Sequence, residues 1–377
     1  MNKWLALFAL VFVPVGTLNA QIIGGGSAEL VMSGLQGPLG LELDKRARVW
    51  LSEMGPVVLP GDGRVSWFYV GQDTLNPFVT GFPIAIAGTE GAGVAHVALD
   101  SQDNLLLCTG GPPAPPAFGS VTRFDSTPCV AEAGPYTVCL GTPCPSPVTQ
   151  ELPIAPFVLS NGGLNTNVYS VAEDTNGDLY IADAGGNMIV KHEKATNTLS
   201  VFSNLPFTAG SPSVESVPTR IISVPNDGAP TSLALILVEL TGGPFVPGTS
   251  RVWGFTNAGT RSVLATGLTT VVDCELDPTG NALFVCSAGS FDSVGGIFAP
   301  GTGSIERVDL ATGTISLVLG GLWLPTGIEF IGKDIYFCAF YEGTMFRFNP
   351  CPADLTGDGA VDGADLTLLL GSWGVCP

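Results

Sequence analysis

One pattern recurs six times along this chain, and it restricts the fold more than any other feature. An apolar strand is followed by a polar turn and then by a second apolar strand that ends in a small residue. It reads LGLELDKRARVWLSEMG from Leu39, AHVALDSQDNLLLCTGG from Ala95 and YSVAEDTNGDLYIADAGG from Tyr169. With a longer turn it returns as TRIISVPNDGAPTSLALILVELTGG from Thr219, then as VDCELDPTGNALFVCSAG from Val272 and TGIEFIGKDIYFCAFYEG from Thr326. The turns carry Asp, Asn and Gly, which tolerate left-handed backbone and close hairpins. A third strand follows each pair, as in RVSWFYV at 63–69 and NMIVKHE at 187–193, and often a fourth, as in VFSNL at 201–205. Four strands at a period of roughly 50 residues is the pattern of a β-propeller blade. The competing reading is a β-sandwich that repeats by accident.

The sixth repeat stops at Asn349 after three strands, while AELVMSGL at 28–35 has the pattern of a fourth. Residues 28–33 are therefore expected to pair with 343–349, which would leave no open seam in the ring. The expected fold is all-β: a six-bladed β-propeller over 28–350, closed by an N-terminal strand and followed by a small calcium-loop and helix tail at 351–377. The second repeat is longer than the others. Its extra length, STPCVAEAGPYTVCLGTPCPSP at 126–147, reads as a loop insertion.

Composition agrees with many short strands: 50 Gly, 30 Pro and only 12% charged residues. The formal net charge is −19 with 14 Lys and Arg in all. So few basic residues argue against a nucleic-acid partner and against anionic membrane surfaces, and they make cations the natural partners. At the start, Lys3 precedes an apolar run over 4–15, and Leu18-Asn19-Ala20 suits cleavage before Gln21. Residues 1–20 thus read as a signal peptide, too short in its apolar run to span a membrane, and IIGGGS at 22–27 as a flexible leader. Export permits disulfides among the nine cysteines, whose odd number leaves at least one without an intramolecular partner.

The last stretch, CPADLTGDGAVDGADLTLLLGSWGVCP from Cys351, carries a carboxylate at Asp354, Asp358, Asp362 and Asp365. Numbered from Asp354, a calcium loop places Thr356 at position 3, Asp358 at 5, Gly359 at 6, the Ala360 carbonyl at 7, Asp362 at 9 and Asp365 at 12. Thr356 and Asp365 depart from the commonest choices but still offer oxygen. A short helix should follow over 364–373, with Leu366, Leu369 and Leu370 on one side. Cys351 and Cys376 flank the unit and are the candidate disulfide, since so small a core needs a staple.

In a propeller the first strand of each blade lines a central channel. Aligning the repeats places Gly40, His96, Ser170, Arg220, Asp273 and Gly327 at the start of that strand. Glu53, Thr109, Asp183, Glu239, Ser287 and Ala339 fall at the end of the second strand, by the same rim. Glu53, His96, Asp183, Arg220, Glu239 and Asp273 are thus candidates for one channel-mouth site, able to hold a second divalent metal or activate water. The same residues could merely fill a wet rim. His192 is expected on an exposed strand, and Cys108, Cys286 and Cys338, at a position that wants a small buried residue, as structural thiols. Cys129, Cys139 and Cys144 of the insertion are further disulfide candidates.

The stretches GLQGPLGLELD, VYSVAEDTNGDLYIADAGGNMIVK and ELTGGPFVPGTSRVWGF resemble the ScyD/ScyE family of secreted propellers, whose architecture is related to NHL-repeat and SMP-30-like propellers. That resemblance covers roughly residues 28–350 and strengthens the fold. The tail is similar to one dockerin-type calcium repeat of the kind appended to exported bacterial proteins. It implies a secreted, periplasmic or cell-surface place and a cohesin-type partner, with one repeat where a full dockerin has two. Two functions are therefore expected. The first is a binding or scaffold propeller for a protein, glycan or small molecule, attached through its calcium-binding tail. The second is a metal-dependent hydrolase of lactonase type acting at the channel mouth. A quinone-dependent sugar dehydrogenase would share the fold class but has no discriminating motif here.

Overall fold

The computed structural model describes residues 21–22, 28–55, 63–82, 85–87, 90–111, 119–137, 147–208, 213–224, 233–351, 353 and 361–371. Residues 1–20, and with them the signal-peptide expectation, lie outside the described residues. The six repeats form six sheets of at least four strands each. Their innermost strands are Pro38–Leu43, Val94–Leu99, Val168–Glu173, Pro218–Ser223, Val271–Leu276 and Pro325–Ile331. Each innermost strand contacts the next around the ring, and the sixth contacts the first. The protein is a six-bladed β-propeller, the class its sequence repeat implied.

The ring closes as the missing fourth strand required. Glu29–Ser33 pairs antiparallel with Thr344–Phe348, Leu30 opposite Phe346 and Ser33 opposite Thr344. Two further edge strands have no counterpart in the sequence reading. Gln21–Ile22, expected to lead into a flexible leader, instead pairs with the outer strand of the fifth blade, Gln21 opposite Gly320. From the insertion, Tyr136–Thr137 runs parallel to the outer strand of the first blade, Tyr136 opposite Val79. So the insertion reaches back to cover the preceding blade.

Side chains near the top of the first two strands of each blade weld neighbouring blades. Ser52 Oγ donates to the Ala95 carbonyl at 2.6 Å, Ser170 Oγ to that of Thr219 at 2.7 Å, and Thr326 Oγ1 to that of Pro38 at 2.7 Å. Thr219 Oγ1 reaches the Val271 carbonyl at 3.1 Å. Between the welds the sheets pack face to face through apolar clusters, as where Leu41, Leu51 and Phe68 of the first blade meet Tyr336, Cys338 and Met345 of the sixth. Four of the turns after the inner strand are held by an aspartate. Asp44, Asp100, Asp174 and Asp277 each accept backbone N–H groups two to five residues on. This is why those repeats carry Asp where the strand ends.

His192 corrects an expectation. It is buried, with Nε2 2.9 Å from Asn197 Oδ1. The third strand of a blade is an interior strand of its sheet, so both its faces are covered. Cys108, Cys286 and Cys338 are fully buried free thiols, as is Cys274, and burial pushes all four well above the ordinary thiol range. Cys129 is free and exposed, whereas Cys139 and Cys144 lie outside the described residues. No helix among the described residues is long and apolar enough to cross a membrane.

Candidate functional site

The site begins with one residue from each of three inner strands. His96 of the second blade, Arg220 of the fourth and Asp273 of the fifth are all buried and in mutual contact. Arg220 Nη1 donates to His96 Nδ1 at 2.9 Å, and His96 Nε2 stands 3.2 Å from Asp273 Oδ2. His96 Nδ1 also lies against the carbonyl of Val97. Asp273 also accepts the Ile328 amide at 3.0 Å, which ties the fifth blade to the sixth. Gly40 makes room for this arrangement: a Cβ there would lie 3.0 Å from the His96 ring.

One level deeper, two residues further along the inner strands, stand three glutamates. They are Glu42 of the first blade, Glu275 of the fifth and Glu329 of the sixth. Cross-strand register makes these positions equivalent, since Glu42 lies opposite Trp50, Glu275 opposite Phe284 and Glu329 opposite Tyr336. Side chains alternate along a strand, so residue i+2 shares the direction of residue i. That signal was present in the sequence, in LGLELD, VDCELD and TGIEFI, and would have found all three. Arg220 Nη2 donates to Glu42 Oε2 at 3.0 Å and lies 3.7 Å from Glu275 Oε2. Three carboxyl groups, Glu42, Asp273 and Glu275, thus share one guanidinium, and Asp273 also meets the imidazole.

Electrostatics follow from that imbalance. Burial, opposed by Arg220 and reinforced by Glu42 and Asp273, pushes Glu275 up to about 8. Burial and the neighbouring Glu275 and Glu42 push Glu329 well above the usual carboxylate range. Burial alone would lower Arg220, but Glu42, Asp273 and Glu275 outweigh it and raise it. Both groups therefore keep their protons to higher pH than an ordinary glutamate does.

Glu53, Asp183 and Glu239 are fully buried, yet no hydrogen bond or ion pair joins them to that group among the described residues. Each is engaged by partners of its own blade or the loop entering it. Glu53 receives Arg64 at 2.5 and 2.9 Å and the Gln36 amide at 2.7 Å. Asp183 receives Thr166 Oγ1 at 2.6 Å and the amides of Asn167 and Gly186. Glu239 receives Arg251, Ser216 Oγ and the Trp253 indole. Ser287 does the same with reversed polarity, donating to Glu306 at 2.5 Å. These contacts fasten the end of the second strand to its surroundings.

Among the described residues, no three of His, Cys, Asp and Glu are arranged to hold a metal ion. Glu42, Asp273 and Glu275 gather around Arg220. In the tail, Asp354, Thr356, Asp358 and Ala360 lie outside the described residues, as does Cys376. Asp362 and Asp365 are described and begin the helix Gly363–Gly371. Asp362 Oδ1 accepts the Ala364 amide at 2.7 Å, and Asp365 Oδ2 accepts the Asp362 amide at 2.7 Å. This reciprocal capping pair fixes the start of the helix. Cys351 is a free, half-buried cysteine.

No family model and no curated protein matches the chain. Solved structures do match in fold. A structural-genomics protein of unknown function from Bacteroides thetaiotaomicron has a TM-score of 0.53 at 10% identity, over 88% of this chain and 75% of that one. A gluconolactonase from Xanthomonas campestris has a TM-score of 0.53 at 11% identity, over 86% and 90%. Virginiamycin B lyase from Staphylococcus aureus stands at 0.45 and 14%, over 86% and 98%. The first two likenesses agree with the six-bladed architecture and, at such identity, speak for the fold alone.

Proposed function

We propose that this chain is an exported bacterial binding or scaffold propeller of the ScyD/ScyE kind, held to a surface or partner through a dockerin-like calcium-binding tail. Its place is the periplasm, the cell surface or the medium. The ligand of the propeller is a protein, a glycan or a small molecule. In the tail, Asp354, Thr356, Asp358, Asp362 and Asp365 with the Ala360 carbonyl would supply the hard oxygens that calcium takes. A cohesin-type partner is the proposed counterpart of the tail.

The observation that carries this reading is the tail helix. Leu366, Leu369 and Leu370 are 55%, 52% and 56% exposed and lie on one side, directly after the capped pair Asp362–Asp365. A short helix that shows its leucines to water is poorly stable by itself and gains by meeting a partner. The test compares the full chain with one ending at Asn349 for retention on the outer cell surface, in calcium and in chelator. Calcium-dependent retention of the full chain alone is expected, and equal retention of both would refute the reading.

A further inference from the structure

The three glutamates of the lower channel form half a ring. Going round from the fifth blade, Glu275, Glu329 and Glu42 come from three consecutive inner strands. The equivalent positions of the other three blades are Ala98, Ala172 and Ile222, which lie opposite Leu106, Tyr180 and Ile236. One half of this level is therefore carboxylic, and the other is apolar and mostly small.

Glu329 is the group without an explanation. It is nine-tenths buried, and no hydrogen bond or ion pair reaches it among the described residues. Arg220 is drawn to Glu42 and Glu275 and leaves Glu329 unserved. A buried carboxyl with no partner is costly, and it persists where something else meets it or where function requires it. Below this level, a cavity of about 400 Å³ opens at the turn side of the ring, lined by Glu42, Leu99, Glu173 and Ser223 among others. Of the three glutamates, Glu42 lines that cavity.

We propose that the lower channel binds a primary alkylammonium group, its nitrogen among Glu42, Glu275 and Glu329 and its hydrocarbon against Ala98, Ala172 and Ile222. An ammonium has three donors, and three carboxyls face it. A divalent metal would require a fuller oxygen shell, which Arg220 interrupts. The inference deepens the reading of the chain as a binding propeller by giving the channel a ligand class, and it is independent of the tail. The groups facing the nitrogen are Glu42 from the first blade, His96 from the second, Arg220 from the fourth, Asp273 and Glu275 from the fifth and Glu329 from the sixth. The third blade offers only Ser170 and Ala172 at these levels.

The experiment is calorimetric titration of the full chain with n-butylammonium chloride, with n-butanol as the neutral shape control. Titrations in excess calcium and in chelator separate a failure of the tail from a failure of the channel. Binding of the ammonium but not the alcohol is expected, weakened at least about tenfold by Glu329→Gln. Glu151→Gln, on an outer strand, should leave it unchanged. A second readout in the unmodified protein covers a variant that does not fold: binding at pH 7 should release protons from the channel carboxyls, measured in buffers of different ionisation enthalpy. No heat up to about 10 mM ligand, above any millimolar dissociation constant, overturns the proposal. So does equal binding of the alcohol, an unchanged affinity in folded Glu329→Gln, or no proton release. An Nα-acetyl-lysine amide arm distinguishes sources: binding it as well points to a lysine side chain of a partner, and refusing it points to a free amine.

Discussion

Arg220 and Glu42 meet across the middle of the ring at 3.0 Å, although 178 residues separate them in sequence. They belong to the fourth and first blades, which face each other in a ring of six. The pair is a strut, and it holds the channel at its waist. Removing the guanidinium would leave Glu42, Asp273 and Glu275 without their shared cation. Arg220→Met should cost about 3–5 kcal/mol in urea unfolding, because a buried charge loses its partner. A loss below about 1 kcal/mol, the range of a surface pair, would show that the strut bears little.

Stability should depend on pH with an unusual sign. Glu275 is pushed up to about 8, and Glu329 is raised well above the carboxylate range, both chiefly by burial. An unfolded glutamate titrates near 4.3, so between about 4.3 and 8 the folded protein binds more protons than the unfolded one. Stability from these groups is complete below about pH 4.3 and is lost as pH rises, at up to about 1.4 kcal/mol per pH unit for each. Urea unfolding at pH 5 and pH 8 should show a smaller fall for Glu329→Gln than for the unmodified chain. Parallel falls would contradict the assignment.

The end of the second strand is a fastening point, and its acids should act on stability without touching the channel. Glu239→Ala leaves Arg251, Ser216 and Trp253 without their common acceptor. A loss of about 3 kcal/mol is expected, since one member of a buried pair is removed. The expected signature is a lower unfolding midpoint with n-butylammonium affinity unchanged in the remaining folded protein. A weakened affinity would place Glu239 with the channel group after all.

The repeats and the closing strand were legible because each is several residues long and carries a period. Two residues at Gln21–Ile22 or Tyr136–Thr137 carry none, and their pairing is set by where a distant outer edge happens to lie. The channel was half legible. His96, Arg220 and Asp273 were placed by counting along the repeat, and the same count two residues on would have added Glu42, Glu275 and Glu329. Glu53, Asp183 and Glu239 show the limit of counting. It gives height along a strand, but not which neighbour a side chain turns to, here Arg64 and Arg251 of the third strand and Thr166 of an entering loop.

Closure by the N-terminal strand should be worth more than any side chain. Met32 is buried in the cluster that joins the sixth and first blades, and Leu35 donates its amide to the Gly343 carbonyl at 2.9 Å. A chain beginning after Leu35 should lose cooperativity and unfold at markedly lower urea, because the outer edge of Thr344–Phe348 is then bare. An unchanged, single transition would mean that the sixth blade stands without its fourth strand.

The account rests most heavily on the tail, and calcium titration of the full-length protein tests it most directly. Calorimetry should find one ion per chain, in the range of about 10⁻⁴ to 10⁻³ M that extracellular modules use. Asp358→Ala should abolish the heat, while Glu239→Ala, in the propeller, should leave it intact. No heat at about 10 mM calcium, well above that range, or binding that survives Asp358→Ala, would contradict the proposal that this propeller is held in place by a calcium-binding tail.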